Sequence, residues 1–164
     1  MTQKNTRTES DLLGSVEVPE NVLYGVQTMR GLENFPISKF HLSDYPRFIH
    51  GLAVVKLGAA MANHELGLLS DEVYEAIAQA CREIMAGQHH EHFPVDMIQG
   101  GAGTTTNMNA NEVIANRALE LMGDDSYGNN VSILIEYLRH SDFLTDNAFD
   151  HFEIFLLFQL LVDI

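Results

Sequence analysis

A glycine- and threonine-rich segment holds the residue types in this chain that are best suited to chemistry. Its centre, from Gly100 to Thr106, reads Gly-Gly-Ala-Gly-Thr-Thr-Thr. Glycines allow another molecule to approach the main chain closely, and the threonines add three consecutive hydroxyls. If a helix starts directly after the glycines, its N–H groups and the positive end of its dipole face the loop. The segment therefore predicts an anion site, suited to a carboxylate or a phosphate.

Two common glycine-loop motifs do not fit this segment. A dinucleotide fingerprint requires Gly or Ala at the third place after Gly103, where Thr106 stands instead. A P-loop requires a lysine before its Ser or Thr, and the loop has no lysine. The alternative is an ordinary glycine-rich turn that binds nothing.

The residues after the loop predict the helix that would position it. Asn107 or Asn109 is suited to cap this helix, which ends near Gly123. Its apolar and small residues recur at helical spacing. They are Val113, Ile114, Ala118, Leu119 and Met122.

Two earlier helices are predicted in the same way. The first is capped by Ser43 or Asp44 and has Pro46 in its first turn. The second is capped by Ser70 and ends near Gly87. With few strand signals, the predicted fold class is mostly α. The apolar stripe of the second helix includes Cys81, which we interpret as a small buried hydrophobe rather than a reactive thiol.

Composition and charge narrow the class of protein. The 164 residues suffice for one domain, and 46% of them are hydrophobic. The formal charge of −14 argues against nucleic acid or an anionic membrane surface as a partner. A single cysteine excludes an internal disulfide. Residues 1–10 are polar, so we predict a disordered arm without a signal peptide and a cytoplasmic protein.

Several separated motifs resemble the N-terminal domain of the aspartase/fumarase superfamily. The longest is Gly-Gly-Ala-Gly-Thr-Thr-Thr-Asn-Met-Asn-Ala-Asn-Glu-Val-Ile-Ala-Asn, from Gly100 to Asn116. The match continues to Gly123, and two upstream motifs begin at Tyr24 and at Glu33. The resemblance covers roughly residues 9–128, so residues 11–128 are predicted to form this domain. Ala102 favours the aspartase branch, because fumarases tend to carry serine there.

The resemblance implies an ammonia-lyase that converts L-aspartate into fumarate and ammonia. The implied substrate-binding residues are Gly103, Thr104, Thr105 and Asn107, and the dicarboxylate is the implied ligand. No catalytic residue or metal ligand is assigned within this chain. The reaction needs no cofactor, although a divalent cation can act as an activator in the family. The resemblance also implies a homotetramer whose active sites each combine three subunits.

Two upstream polar residues and a histidine cluster are weaker candidates. Thr28 and Arg30 are the polar residues near the implied cleft, with a surface ion pair as the alternative for Arg30. His89, His90 and His92 surround Glu91. We favour a solvated, pH-sensitive loop there over a metal site, since structural zinc needs four well-placed ligands.

The family pattern breaks after Asn130. Residues 129–164 read as a divergent apolar tail, and the central helical bundle and the loop bearing the catalytic base are missing. The hypothesis is a truncated or frame-shifted family member that is inactive alone. A fumarate hydratase of the same superfamily and a non-catalytic remnant are the alternatives.

Overall fold

The computed structural model describes residues 5–101 and 103–123. It confirms a mostly helical fold and shows one small sheet in addition. No helix within these residues is long and apolar enough to cross a membrane. The predicted tail, residues 129–164, lies outside the described part of the chain. The described elements are β1 (Thr6–Asp11), β2 (Gly14–Pro19), α1 (Val26–Asn34), α2 (Pro46–Glu65), α3 (Asp71–Met85), α4 (Thr104–Leu121) and two 3₁₀ turns, Leu42–Asp44 and His90–His92.

Helices α2, α3 and α4 enclose the hydrophobic core. The three predicted helices are therefore confirmed, and α3 packs against both of its neighbours. Cys81 is 0% exposed, and burial raises the pKa of its thiol to about 12, which confirms it as a buried hydrophobe. The largest fully buried apolar side chains of these helices are Ile49, Ile77, Ile84, Val113, Ile114 and Leu119.

Of the caps predicted for α2 and α3, that of α3 is confirmed and that of α2 is wrong. Ser70 caps α3, where its hydroxyl accepts the Val73 N–H at 3.4 Å. Pro46 is the first residue of α2, but Tyr45 takes the N-cap position. Asp44 instead accepts the His41 N–H at 2.9 Å within the preceding 3₁₀ turn. The cap prediction for Ser43 and Asp44 is wrong because these residues belong to that separate turn.

The prediction of a disordered arm over residues 1–10 is wrong for residues 6–10. This stretch forms β1, which pairs antiparallel with β2, with Thr6 opposite Pro19 and Asp11 opposite Gly14. Residues 1–4 lie outside the described part of the chain. The strand is polar, but its alternate side chains bind the rest of the protein instead of water.

Arg7 and Asp11 dock the hairpin onto the chain that follows it. The Arg7 guanidinium donates to the carbonyls of Pro19 and Val22 at 2.9 Å and to that of Tyr24 at 2.8 Å. Asp11 accepts two hydrogen bonds from Arg30, at 2.8 and 2.6 Å. These bonds from Arg30 lower the pKa of Asp11 to about 2. The side chains of Asp11 and Arg30 are both largely shielded from solvent.

Two buried glutamates occupy the N-terminal end of α1. Glu9 accepts the Val26 N–H at 2.9 Å. Glu112, on α4, accepts the N–H groups of Gly25, Gln27 and Thr28 at 2.9, 2.7 and 3.0 Å. The Thr28 hydroxyl also donates to Glu112, at 2.6 Å. Burial raises the pKa of Glu112, and these four donors oppose that effect.

A second polar contact joins α3 to α4. The Arg117 Nε donates to Glu83 at 2.7 Å, and its Nη2 donates at 3.2 Å. His89 also contacts Glu83, at 2.8 Å. The hydrogen bond from Arg117 is the main cause that lowers the pKa of Glu83 to about 2.

Replacing the buried carboxylate at the start of α1 is expected to destabilise the protein. In Glu112→Gln, one carboxylate oxygen becomes an NH₂ group that faces N–H donors, so we expect a loss of about 2–3 kcal/mol. Urea denaturation at pH 7 measures this. Glu65→Gln, at the exposed end of α2, changes the net charge equally and should stay within about 0.5 kcal/mol of wild type. Equal stability of the two variants would contradict the prediction.

The contact between Glu83 and Arg117 predicts a pH dependence of stability. Because the pKa is lowered from 4.5 to about 2, the stabilisation is complete above 4.5 and is lost as the pH falls toward 2. Arg117→Met should cost about 1 kcal/mol at pH 7 and progressively less on acidification. Unfolding free energies from pH 7 to pH 3 test this. Arg82→Met is the control, because it removes a more exposed ion pair. Its difference in unfolding free energy from wild type is not expected to shrink as the pH falls.

Candidate functional site

The glycine loop reaches α4 through two residues in the left-handed region of backbone conformation. Gly101 has φ +77° and Gly103, the N-cap of α4, has φ +86°. Among the described residues, apart from its neighbours in the chain, none has an atom within 4 Å of where a Cβ at Gly103 would lie. Ala102 lies outside the described residues. The predicted loop-to-helix transition is confirmed, and helical geometry begins at Thr104.

The three threonines of the loop have different surroundings. Thr104 is exposed, and its hydroxyl donates to the Gly101 carbonyl at 2.6 Å. Thr105 is half-buried, with its methyl group directly against Gly31 of α1. Thr106 bonds to the side chain of Gln99. Only Thr104, of the three, therefore presents an exposed side chain at the open end of the helix.

The predicted caps of α4, Asn107 and Asn109, are not its caps. The Asn107 N–H donates to the Gly103 carbonyl within the first turn, at 3.1 Å. Asn109 lies within the helix, beyond its first turn, and is buried. Its Nδ2 donates to the His92 carbonyl at 3.0 Å. The prediction is wrong because the helix starts three residues before Asn107. Asn107 is half-buried in the first turn, beside Gly103.

The side chain of Gln99 performs the capping. Its Oε1 accepts the Thr106 N–H at 2.8 Å. Its Nε2 donates to the Thr106 hydroxyl at 2.7 Å and to the Asp96 carbonyl at 2.9 Å. Gln99 is absent from the predicted site residues. Its sequence signal is an amide side chain directly before the glycines. Helix caps are expected next to the helix, so this position does not stand out.

Asp96 anchors the beginning of this loop and was also not predicted. Its carboxylate accepts the N–H groups of Ile37, Ser38 and Ile98 and the Ser38 hydroxyl. The residue is 6% exposed. Burial opposes its charged form, but these donors outweigh burial and lower the pKa of Asp96 to about 2. The loop therefore starts from a fixed, negatively charged anchor.

Helix α1 and the residue that follows it form one wall of the loop. A Cβ at Gly100 would lie 3.4 Å from the Phe35 ring, which is ordinary contact. At Gly31 there is no space for a Cβ, because the Thr105 methyl occupies it. The position of α1 thus limits where Thr105 can lie.

The two upstream candidates have structural partners. Thr28 is fully buried and donates to Glu112, so a ligand role for its hydroxyl is wrong for this structure. Arg30 forms the ion pair with Asp11 that was the alternative to a ligand role. Both side chains hold α1 against its neighbours.

The three histidines are partly buried, so the prediction of a solvated loop is wrong for their side chains. His89 contacts Glu83, and His90 contacts the Ile84 carbonyl, both at 2.8 Å. The Leu23 N–H donates to Nδ1 of His92 at 3.4 Å. Burial lowers the pKa of His92. In the described part of the chain, no group of three or more His, Cys, Asp or Glu residues is arranged to hold a metal ion.

A family model described as Lyase matches residues 14–143. This match passes Asn130, where the resemblance was predicted to fail. Among curated relatives, the aspartate ammonia-lyase of Pseudomonas canavaninivorans is 59% identical over 117 residues, which are 71% of this chain and 25% of that protein. The class II fumarate hydratase of Halobacterium salinarum is 53% identical over 119 residues, or 73% and 25% of the two chains.

A solved structure agrees with these relatives. The fumarate lyase:delta crystallin of Brucella melitensis in its native form aligns with a TM-score of 0.71 at 50% identity, over 73% of this chain and 28% of that one. This chain spans about a quarter of the length of the curated relatives that it matches. The family match, the identities and the shared fold agree, and the chain belongs to the lyase family within the aspartase/fumarase superfamily.

Proposed function

We propose that this chain is the N-terminal part of an ammonia-lyase that converts L-aspartate into fumarate and ammonia in the cytoplasm. The observation that carries the proposal is the 59% identity to an aspartate ammonia-lyase. The exposed start of α4, at Gly103 and Thr104, supports it, because a helix N-terminus with a glycine approach suits a carboxylate.

The chemistry explains why such a loop is useful. Elimination removes a weakly acidic proton from Cβ of aspartate and expels the amine. The β-carboxylate must then accept additional negative charge in the transition state, so preorganised donors near it lower the barrier. We assign this cradle to Gly103, Thr104 and Thr105, with Asn107 as a further substrate contact. The net charge of −14 repels a dianion at long range, so local donors must provide the binding.

We assign no catalytic base to this chain, and we propose that the chain alone has no turnover. Its curated relatives are about four times as long as the matched segment. In our proposal the active form is a homotetramer that combines this domain with segments absent from the chain. No cofactor takes part in the proposed reaction.

Fumarate hydration is the second candidate. It rests on the 53% identity to a class II fumarate hydratase. Both reactions involve a dicarboxylate and charge on a carboxylate, so the loop suits either. Ala102 favours the ammonia-lyase, because the fumarases of the superfamily tend to carry serine at this place.

The two candidates are separated by exchanging the segment into full-length relatives. We expect residues 14–123, placed in the P. canavaninivorans aspartate ammonia-lyase, to retain ammonia release from L-aspartate. The same segment in the H. salinarum fumarate hydratase should reduce fumarate hydration by at least about tenfold. The reason is that the glycine loop of the segment is fitted to ammonia elimination. The converse pattern would favour hydration. The chain by itself, assayed with both substrates, should produce no ammonia and no malate.

Within the active exchange protein, the Thr104 hydroxyl is expected to be required. In this structure the Thr104 hydroxyl donates to the Gly101 carbonyl, so in the proposed cradle it must turn toward the substrate carboxylate. Thr104→Ala removes that hydroxyl and should lower kcat by about 10²-fold. Thr104→Ser keeps the hydroxyl and should stay within about fivefold of the parent, since it loses only a methyl group. Steady-state ammonia release measures both. Near-normal turnover of Thr104→Ala would remove Thr104 from the proposed cradle.

A further inference from the structure

The side chain of Gln99 bridges the two ends of the glycine loop. Its amide lies before Gly100 and reaches across the glycines to both polar groups of Thr106. The same amide NH₂ also donates to the Asp96 carbonyl, at 2.9 Å. Asp96 is itself fixed by the segment around Ser38. One neutral side chain thus connects a rigid anchor to the first turn of α4.

We propose that Gln99 is a positioning residue for the carboxylate site, an inference that rests on the proposed function. It does not touch the substrate in this proposal. It holds the loop in the one shape that presents Gly103, Thr104 and Thr105 to a carboxylate. It also occupies the backbone N–H of Thr106, so a carboxylate is directed to the N–H groups that precede Thr106.

The loop needs such a brace because of its glycines. Glycine has more backbone freedom than any other residue, so a loop built from Gly100, Gly101 and Gly103 loses more entropy when ordered. A loop that samples several shapes must be ordered again at each binding event, which weakens binding. The packing of the Thr105 methyl on Gly31 restrains one side of the loop, and Gln99 restrains the other.

Glutamine is the side chain that this position requires. The Thr106 N–H needs an acceptor, whereas the Asp96 carbonyl needs a donor. A carboxylate at position 99 would supply only acceptors and would add negative charge beside an anion site. A methionine has nearly the same length and supplies neither function. Methionine at position 99 therefore removes the brace with little change in volume.

The test uses the full 164-residue chain and succinate, a dicarboxylate that cannot eliminate an amine. Backbone amide shifts of Gly103, Thr104 and Thr105 are followed by NMR during a succinate titration. We expect Gln99→Met to weaken succinate binding by about tenfold, as the loss of hydrogen bonds to one side chain predicts. Gln88→Met makes the same substitution at an exposed position after α3 and should leave the affinity unchanged.

A second pair of variants separates positioning from mere stability. Thr106→Val removes the hydroxyl that Gln99 holds and should weaken succinate binding, whereas Thr106→Ser keeps it and should bind as the wild type does. The shifts of α2 and α3 amides report whether each variant is folded. If Gln99→Met unfolds, the comparison of Val and Ser at position 106 decides. A folded Gln99→Met with wild-type affinity would overturn the proposal.

Hydrogen exchange distinguishes a failure of this inference from a failure of the proposed function. If succinate shifts no loop amide in the wild type, the carboxylate role of this loop in the chain is overturned. In that case the Thr106 amide tests whether Gln99 restrains the loop. Its hydrogen exchange should be about tenfold faster in Gln99→Met than in Gln88→Met. Equal exchange rates in these two variants would overturn the brace itself.

Discussion

The fold depends on a pair of buried carboxylates that occupy the N-terminal end of α1. Glu9 arrives from the first strand and Glu112 from the middle of the last described helix. Burying two acids is costly unless donors surround them. Here four backbone N–H groups, one hydroxyl and the Arg7 guanidinium do so. Gly25 lies between them because a Cβ would lie 2.5 Å from the Glu9 carboxylate. The hairpin, α1 and α4 therefore become one unit.

The N-termini of α1 and α4 both attract negative charge, but they are occupied differently. Both concentrate N–H donors and a positive dipole end, which favour negative charge. At α1 the protein fills the end with its own side chains. At α4 it places glycines and an exposed threonine there, and the capping side chain, Gln99, is neutral. A neutral cap adds no negative charge that would repel a carboxylate. This contrast fits the proposed substrate site at α4.

Much of the fold could be predicted from local pattern, because α2, α3 and α4 have helical periodicity. The family could also be recognised, because its motifs lie in order. Two failures, at β1 and at Gln99, depended on partners elsewhere along the chain, whereas the wrong caps of α2 and α4 came from misplaced helix starts. The strand β1 appears solvated because Arg7, Glu9 and Asp11 are charged, and only their contacts 12 to 19 residues away show otherwise. The Gln99 cap was missed for the same reason, since its partner lies seven residues ahead.

The geometry of the candidate site is linked to this distant constraint through α1. Helix α4 contacts α1 at two places: Glu112 binds the start of α1, and Thr105 packs its methyl on Gly31. These residues of α4 are two helical turns apart, roughly 10 Å along its axis. The Glu112 contact is directional because it consists of hydrogen bonds, whereas the Gly31 contact is purely steric. With the start of α1 fixed by Glu112, steric contact at Gly31 sets where the first turn of α4 lies. Thr105, which we assign to the carboxylate cradle, is therefore positioned by a buried acid that lies outside the cradle.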